Sequence, residues 1–129
     1  MKKNVLFLAF FLMSALLHLN AQTIANTAWK GFYGGELNDT ITLHFKSDTF
    51  FVTGSGGDTL VRSNLKVSKD TIALNDIEGK YMCPAATGIY RFTIKVDNLN
   101  FILVNDPCEG RNAIVDINWA RLDENKAKQ

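Results

Sequence analysis

Gly88-Ile89-Tyr90-Arg91-Phe92-Thr93-Ile94-Lys95-Val96 decides the fold class of this chain. In an extended backbone Tyr90, Phe92, Ile94 and Val96 fall on one face and Arg91, Thr93 and Lys95 on the other. A strand of that kind buries one side and wets the other. Outward from it the same period recurs, punctuated by a repeated phrase of aspartate, threonine and a bulky apolar residue. The copies are Asp39-Thr40-Ile41, Asp48-Thr49-Phe50, Asp58-Thr59-Leu60 and Asp70-Thr71-Ile72. Aspartate ends turns well because its side chain bonds nearby backbone, and β-branched threonine suits the first outward position of a strand. The reading gives eight strands, at 28–34, 40–45, 49–53, 59–67, 71–75, 88–96, 99–104 and 113–121. No stretch after the N-terminal segment has a comparable helical period. Successive strands without crossover helices pair antiparallel. The expected fold is all-β, an eight-stranded antiparallel up-and-down barrel.

The connections add polarity to the barrel. Links at Ser47-Asp48, Lys69-Asp70 and Asp97-Asn98 are tight, whereas those at 35–39, 54–58, 76–87 and 105–112 are long. Alternate links of a meander lie at opposite ends, so one rim carries every tight turn and the other every long loop. That describes a cup with a closed base and a loop-bearing mouth. Cys83 and Cys108 both fall in mouth loops, flanked by Pro84 and Pro107. In an exported chain two cysteines most simply form one disulfide across the open rim. A redox or metal-binding pair is the alternative, but there is no C-x-x-C spacing and no companion histidine cluster.

Residues 1–21 read as a secretory signal peptide: Lys2 and Lys3, then an apolar run over 5–17, then Ala21 for cleavage. A membrane anchor is the rival, but the run falls short of the roughly 20 residues that span a bilayer. Residues 22–129 form one domain, exported to the periplasm or the medium. Without Lys2 and Lys3 the formal net charge of +1 becomes about −1. Nothing in that balance suggests nucleic acid or an anionic membrane. Outward Lys30, Lys46, Arg91 and Lys95 argue against an outer-membrane barrel, whose lipid face is apolar.

With these residues placed, the chain resembles the calycin superfamily, in particular the small lipocalin-like domains of exported bacterial proteins. Trp29 opens the first strand and Arg121 closes the last, as in lipocalins, with Thr27 standing where that family has glycine. The resemblance implies that the two pack across the barrel base, the guanidinium capping the indole. Cys83-Pro84, Gly88, Tyr90, Phe92, Phe101, Asp106, Cys108, Arg111, Trp119 and Arg121 resemble a spacing common in such domains. It implies the barrel and leaves the ligand unspecified, because fold alone does not assign function.

Chemistry-bearing residues are sparse. His44 faces outward with Thr42 and Lys46, and Ser47 and Asp48 beside it belong to a tight turn, so no nucleophilic site assembles and no enzyme is expected. Glu36, Asp39, Asp76, Glu78, Asp106 and Glu109 cluster at the mouth without calcium-loop spacing, and no metal or cofactor is implied. Asp106 and Arg111 pair to brace the disulfide loop, a contact worth little if exposed. Inward residues near the mouth are Tyr33, Ile41, Leu74, Tyr90, Leu103 and Val115, the expected ligand-binding set. Nearer the base come Trp29, Phe45, Phe50, Val67, Ile72, Val96, Leu99 and Trp119, with Phe92, Ile94 and Phe101 between. These side chains either line an apolar pocket for a small hydrophobic ligand or fill the interior. The second functional reading is an inhibitor or other protein-binding module acting through an N-terminal arm, 22–27, and rim loops that display Tyr81 and Met82. Finally, Thr40, Thr59 and Thr71 sit in phrases that resemble the O-glycosylation motif of some exported Gram-negative proteins.

Overall fold

The computed structural model describes residues 23–84 and 86–123; residues 1–21, read above as a signal peptide, lie outside them. Eight antiparallel strands form a closed barrel in sequence order. They are β1 (Thr27–Tyr33), β2 (Asp39–Phe45), β3 (Thr49–Thr53), β4 (Thr59–Ser68), β5 (Thr71–Glu78), β6 (Thr87–Lys95), β7 (Asn98–Asn105) and β8 (Trp119–Arg121). Closure comes from β1 against β8, where Trp29 pairs with Arg121 and Lys30 with Ala120. The Arg121 guanidinium carbon sits 4.5 Å from the Trp29 ring centroid. Trp29 Nε1 donates to Thr27 Oγ1 at 2.8 Å, and Thr27 in turn donates to the carbonyl of Ile24, which is fully buried. The chain entering β1 therefore seals the base. The tight turns share that rim, and the long loops and the Cys83–Cys108 disulfide occupy the other.

Four expectations are corrected. Residues 113–118 are not strand: a single helical turn, α1 (Glu109–Asn112), runs into a 3-10 turn, Ala113–Asp116. Ala113-Ile114-Val115 is a contiguous apolar run without period-two alternation, and burial of Ile114 under the mouth decides the matter. Trp119 Nε1 donates to the Ile114 carbonyl at 2.9 Å, which fixes the turn to the start of β8. Leu103 pairs with buried Tyr90 but is itself exposed, as are its neighbours Ile102 and Val104. β8 reaches only Asn98 and Leu99 of β7 and is too short to cover Leu103. Val67 is exposed at the end of β4. Val96 is exposed too, because it sits in the β6–β7 turn with φ 55° while Lys95 pairs with Asn98. The turn thus falls one residue earlier than Asp97-Asn98.

Candidate functional site

The interior is divided. On the β6–β8 side Tyr90, Phe92, Ile94, Leu99, Phe101 and Trp119 are buried and fill it. On the β1–β5 side a cavity of about 390 Å³ remains. Its wall is apolar, made by Ile41 and Leu43 of β2, Phe50 and Val52 of β3, Leu60 and Val61 of β4 and Leu74 of β5. The asymmetry follows from residue size, since the aromatic rings of β6 and β7 take the space that the aliphatic side chains of β2, β4 and β5 leave. Tyr33, Glu36, Leu37 and Tyr81 form the rim, and Gly110 and Ile114 cover the cavity from above. The Tyr33 hydroxyl donates to the Gly110 carbonyl at 3.3 Å, linking β1 to α1. Such a volume lies near the small end of the roughly 300–1,000 Å³ usual for ligand pockets.

One corner of this wall is charged. Arg111 and Asp76 line the cavity, and Asp106 lies behind Arg111. Their side chains are 8 %, 3 % and 0 % exposed, so the Asp106–Arg111 ion pair expected from sequence is present and is buried, with Asp76 as a second partner. Arg111 Nε donates to Asp106 Oδ2 at 2.5 Å, and Nη2 donates to Asp106 Oδ1 at 2.8 Å and to the Ala86 carbonyl at 2.9 Å. Nη1 lies 2.9 Å from Asp76 Oδ1. Each carboxylate also holds one half of the disulfide: Asp76 Oδ2 accepts the Cys83 N–H at 2.8 Å and Asp106 Oδ1 the Cys108 N–H at 2.9 Å. Fully buried Ser63 donates to Asp76 Oδ1 at 2.7 Å. The Tyr90 hydroxyl donates to Asp106 and lies 3.1 Å from Asn112 Oδ1. Gly88 makes room for this packing, since a Cβ there would collide with the Asp106 carboxylate and with Arg111 Nε.

Electrostatics follows from that geometry. Burial raises the Asp106 carboxyl, but the bonds from Arg111, Tyr90 and the Cys108 N–H outweigh it and hold the group below the usual carboxylate range. Burial and then Asp106 push the Tyr90 hydroxyl well above its ordinary value of 10.0. Burial disfavours the Arg111 cation, yet hydrogen bonding to Asp106, the charges of both carboxylates and hydrogen bonding to Asp76 more than restore it.

No family model, curated protein or solved structure matches this chain. Of the expected ligand-binding set, Tyr33, Ile41 and Leu74 line the cavity. Tyr90 is buried with its hydroxyl turned to Asp106, Val115 packs against the core, and Leu103 is exposed. Tyr81 is half exposed and contributes to the rim, whereas Met82 is partly buried. Asp76 and Ser63 were not foreseen as site residues. β5 continues to Glu78, three residues past its expected end, and places Asp76 opposite Ser63. The signal was present in the alternation Ile72, Leu74, Asp76, but a carboxylate at an inward position reads as the start of a loop. His44 stacks on Phe51 across β2 and β3, with centroids 4.3 Å apart, and its Nε2 lies 3.0 Å from Thr53 Oγ1. Thr59 is exposed, while Thr40 and Thr71 are half-buried. Among the described residues no helix is long and apolar enough to cross a membrane. The Cys83–Cys108 bridge hints at an oxidising, extracytoplasmic setting.

Proposed function

We propose that the chain is an exported, lipocalin-like binding protein, non-catalytic, that holds one small apolar or amphipathic molecule in the β1–β5 half of its barrel. The observation that carries this reading is the cavity of about 390 Å³, walled by aliphatic and aromatic side chains and supplied with a single charged corner. A few convergent polar groups in an apolar concavity are what orient a small ligand. The arrangement of Trp29 and Arg121 supports the lipocalin-like assignment. Native mass spectrometry of protein purified from its own compartment tests the proposal, together with Leu60→Trp, which fills the cavity from a half-buried position in its wall. A co-purifying small molecule that Leu60→Trp loses is the expected outcome. A stoichiometric protein partner, or a molecule retained unchanged by Leu60→Trp, would refute it.

The second reading, a module that binds protein through its rim, is favoured by one observation: Tyr81 is 47 % exposed on a mouth loop. Aromatic side chains of that kind are enriched at interfaces. O-glycosylation belongs with either reading, and Thr59 is the best-placed acceptor because its side chain is in solvent.

A further inference from the structure

The charged corner of the cavity sets the chemistry of what can occupy it. Arg111 carries five N–H donors. Nε and Nη2 are spent on Asp106 and the Ala86 carbonyl. Nη1 is buried and approaches Asp76 Oδ1 at 2.9 Å, a contact that occupies at most one of its two N–H groups, and no other acceptor meets it among the described residues. Asp76 lines the cavity and Asp106 does not, which puts Nη1 on the cavity side of the guanidinium. A buried donor left without an acceptor is costly, so a ligand acceptor placed there gains more than it would on a satisfied wall. Charge then selects the acceptor. One guanidinium set between two buried carboxylates leaves the corner with a net charge of −1, and Glu36 at the rim adds to it. An arginine in an apolar barrel would ordinarily suggest a fatty-acid site, but here a third carboxylate would enter a field already negative.

We infer that the cavity takes a neutral amphipath with an acceptor oxygen, such as an alcohol, ketone or ester, directed at Arg111 Nη1, and discriminates against the matching carboxylate. The inference rests on the ligand-binding reading above and names its ligand class. At about 30 Å³ per heavy atom, the share of a water molecule in the liquid, the cavity admits on the order of a dozen heavy atoms.

The test is an end-group series on the wild-type protein, followed by NMR chemical-shift titration at neutral pH: 2-nonanone, nonane and nonanoate. The ketone should bind roughly tenfold or more tightly than either of the others, a gap set by the unpaired donor against nonane and by repulsion against nonanoate. Asp76→Asn, which brings the corner to neutrality, should narrow the gap between ketone and carboxylate. Nonanoate binding as tightly as the ketone would overturn the charge argument, and so would an unchanged gap in Asp76→Asn. Nonane binding as tightly would overturn the role of Nη1. If none of the three binds while the protein is folded, the ligand-binding reading itself fails and takes this inference with it.

Discussion

Replacing Arg111 with leucine should be strongly destabilising, and the stability of the variant should depend on pH in a direction opposite to that of the wild type. The substitution leaves Asp76 and Asp106, 3 % and 0 % exposed, facing each other without a cation. Breaking a buried pair by removing one partner costs about 3–5 kcal/mol. Against a total stability of roughly 5–15 kcal/mol for a domain of this size, that is a large share. With a urea slope of about 1.5–2 kcal/mol/M the midpoint should fall by about 1.5–3 M at pH 7. The wild-type Asp106 carboxyl is depressed in the folded state, so its contribution is present above the unfolded carboxyl range and is lost as pH falls through the folded value. In Arg111→Leu the Asp106 carboxyl keeps the burial that raises it and loses the Arg111 bonds that lower it, so the folded state should take up protons more readily than the unfolded chain. Stability of the variant should then rise on acidification toward pH 4.5, and the gap to wild type should narrow by at least about 1 kcal/mol. Urea unfolding followed by tryptophan fluorescence at both pH values measures this. A loss under about 1 kcal/mol, or a loss equal at both, would refute the buried-network account. Adding Asp76→Asn and Asp106→Asn should recover most of what Arg111→Leu removes.

The remaining predictions concern the mouth, the hydroxyl behind it and one turn. Cys83→Ala opens a loop whose ends are 25 residues apart and should cost up to about 3.5 kcal/mol in the chain-entropy model, read as a lower thermal midpoint under oxidising conditions. Tyr90 has a folded-state value above the ordinary 10.0, so stability should be intact below pH 10 and decline as pH rises beyond it. Alkaline denaturation curves should show that decline in wild type and a weaker one in Tyr90→Phe. Val96 is a β-branched residue at φ 55°, where the left-handed conformation costs roughly 1–2 kcal/mol. Val96→Asn should accordingly raise the urea midpoint, and an unchanged or lower midpoint would count against strain in that turn.

Strand number, order and the division into tight and loop-bearing rims were legible in the sequence, because period-two alternation and turn chemistry are local properties; the disulfide followed from two cysteines in mouth loops of an exported chain, and the Trp29–Arg121 contact from the resemblance to lipocalins. The ends of strands at the mouth were not. Asp76 continues β5 inward because a guanidinium from residue 111 and a hydroxyl from residue 63 meet it there, and both partners are remote in sequence. Leu103 follows the same logic in reverse: its alternation is correct for a strand flanked on both sides, and β8 is too short to flank it. Whether the interior was open or filled had no local answer either, since it depends on which strands carry the aromatic residues once the sheet closes.

The seam between β1 and β8 also governs how the barrel forms. Positions 29 and 121 lie at opposite ends of the domain, so closure needs the pairing with the greatest loop-closure entropy in the fold. Topologies dominated by such distant pairings fold slowly, on the millisecond-to-second scale. The meander can assemble hairpin by hairpin as an open sheet, but its two edges can join only after the last strand is available. Trp29 and Trp119 are the two tryptophans of the sequence and both are buried at that seam. Their fluorescence is therefore a built-in clock for the closing step, separable from hairpin formation, which circular dichroism would follow.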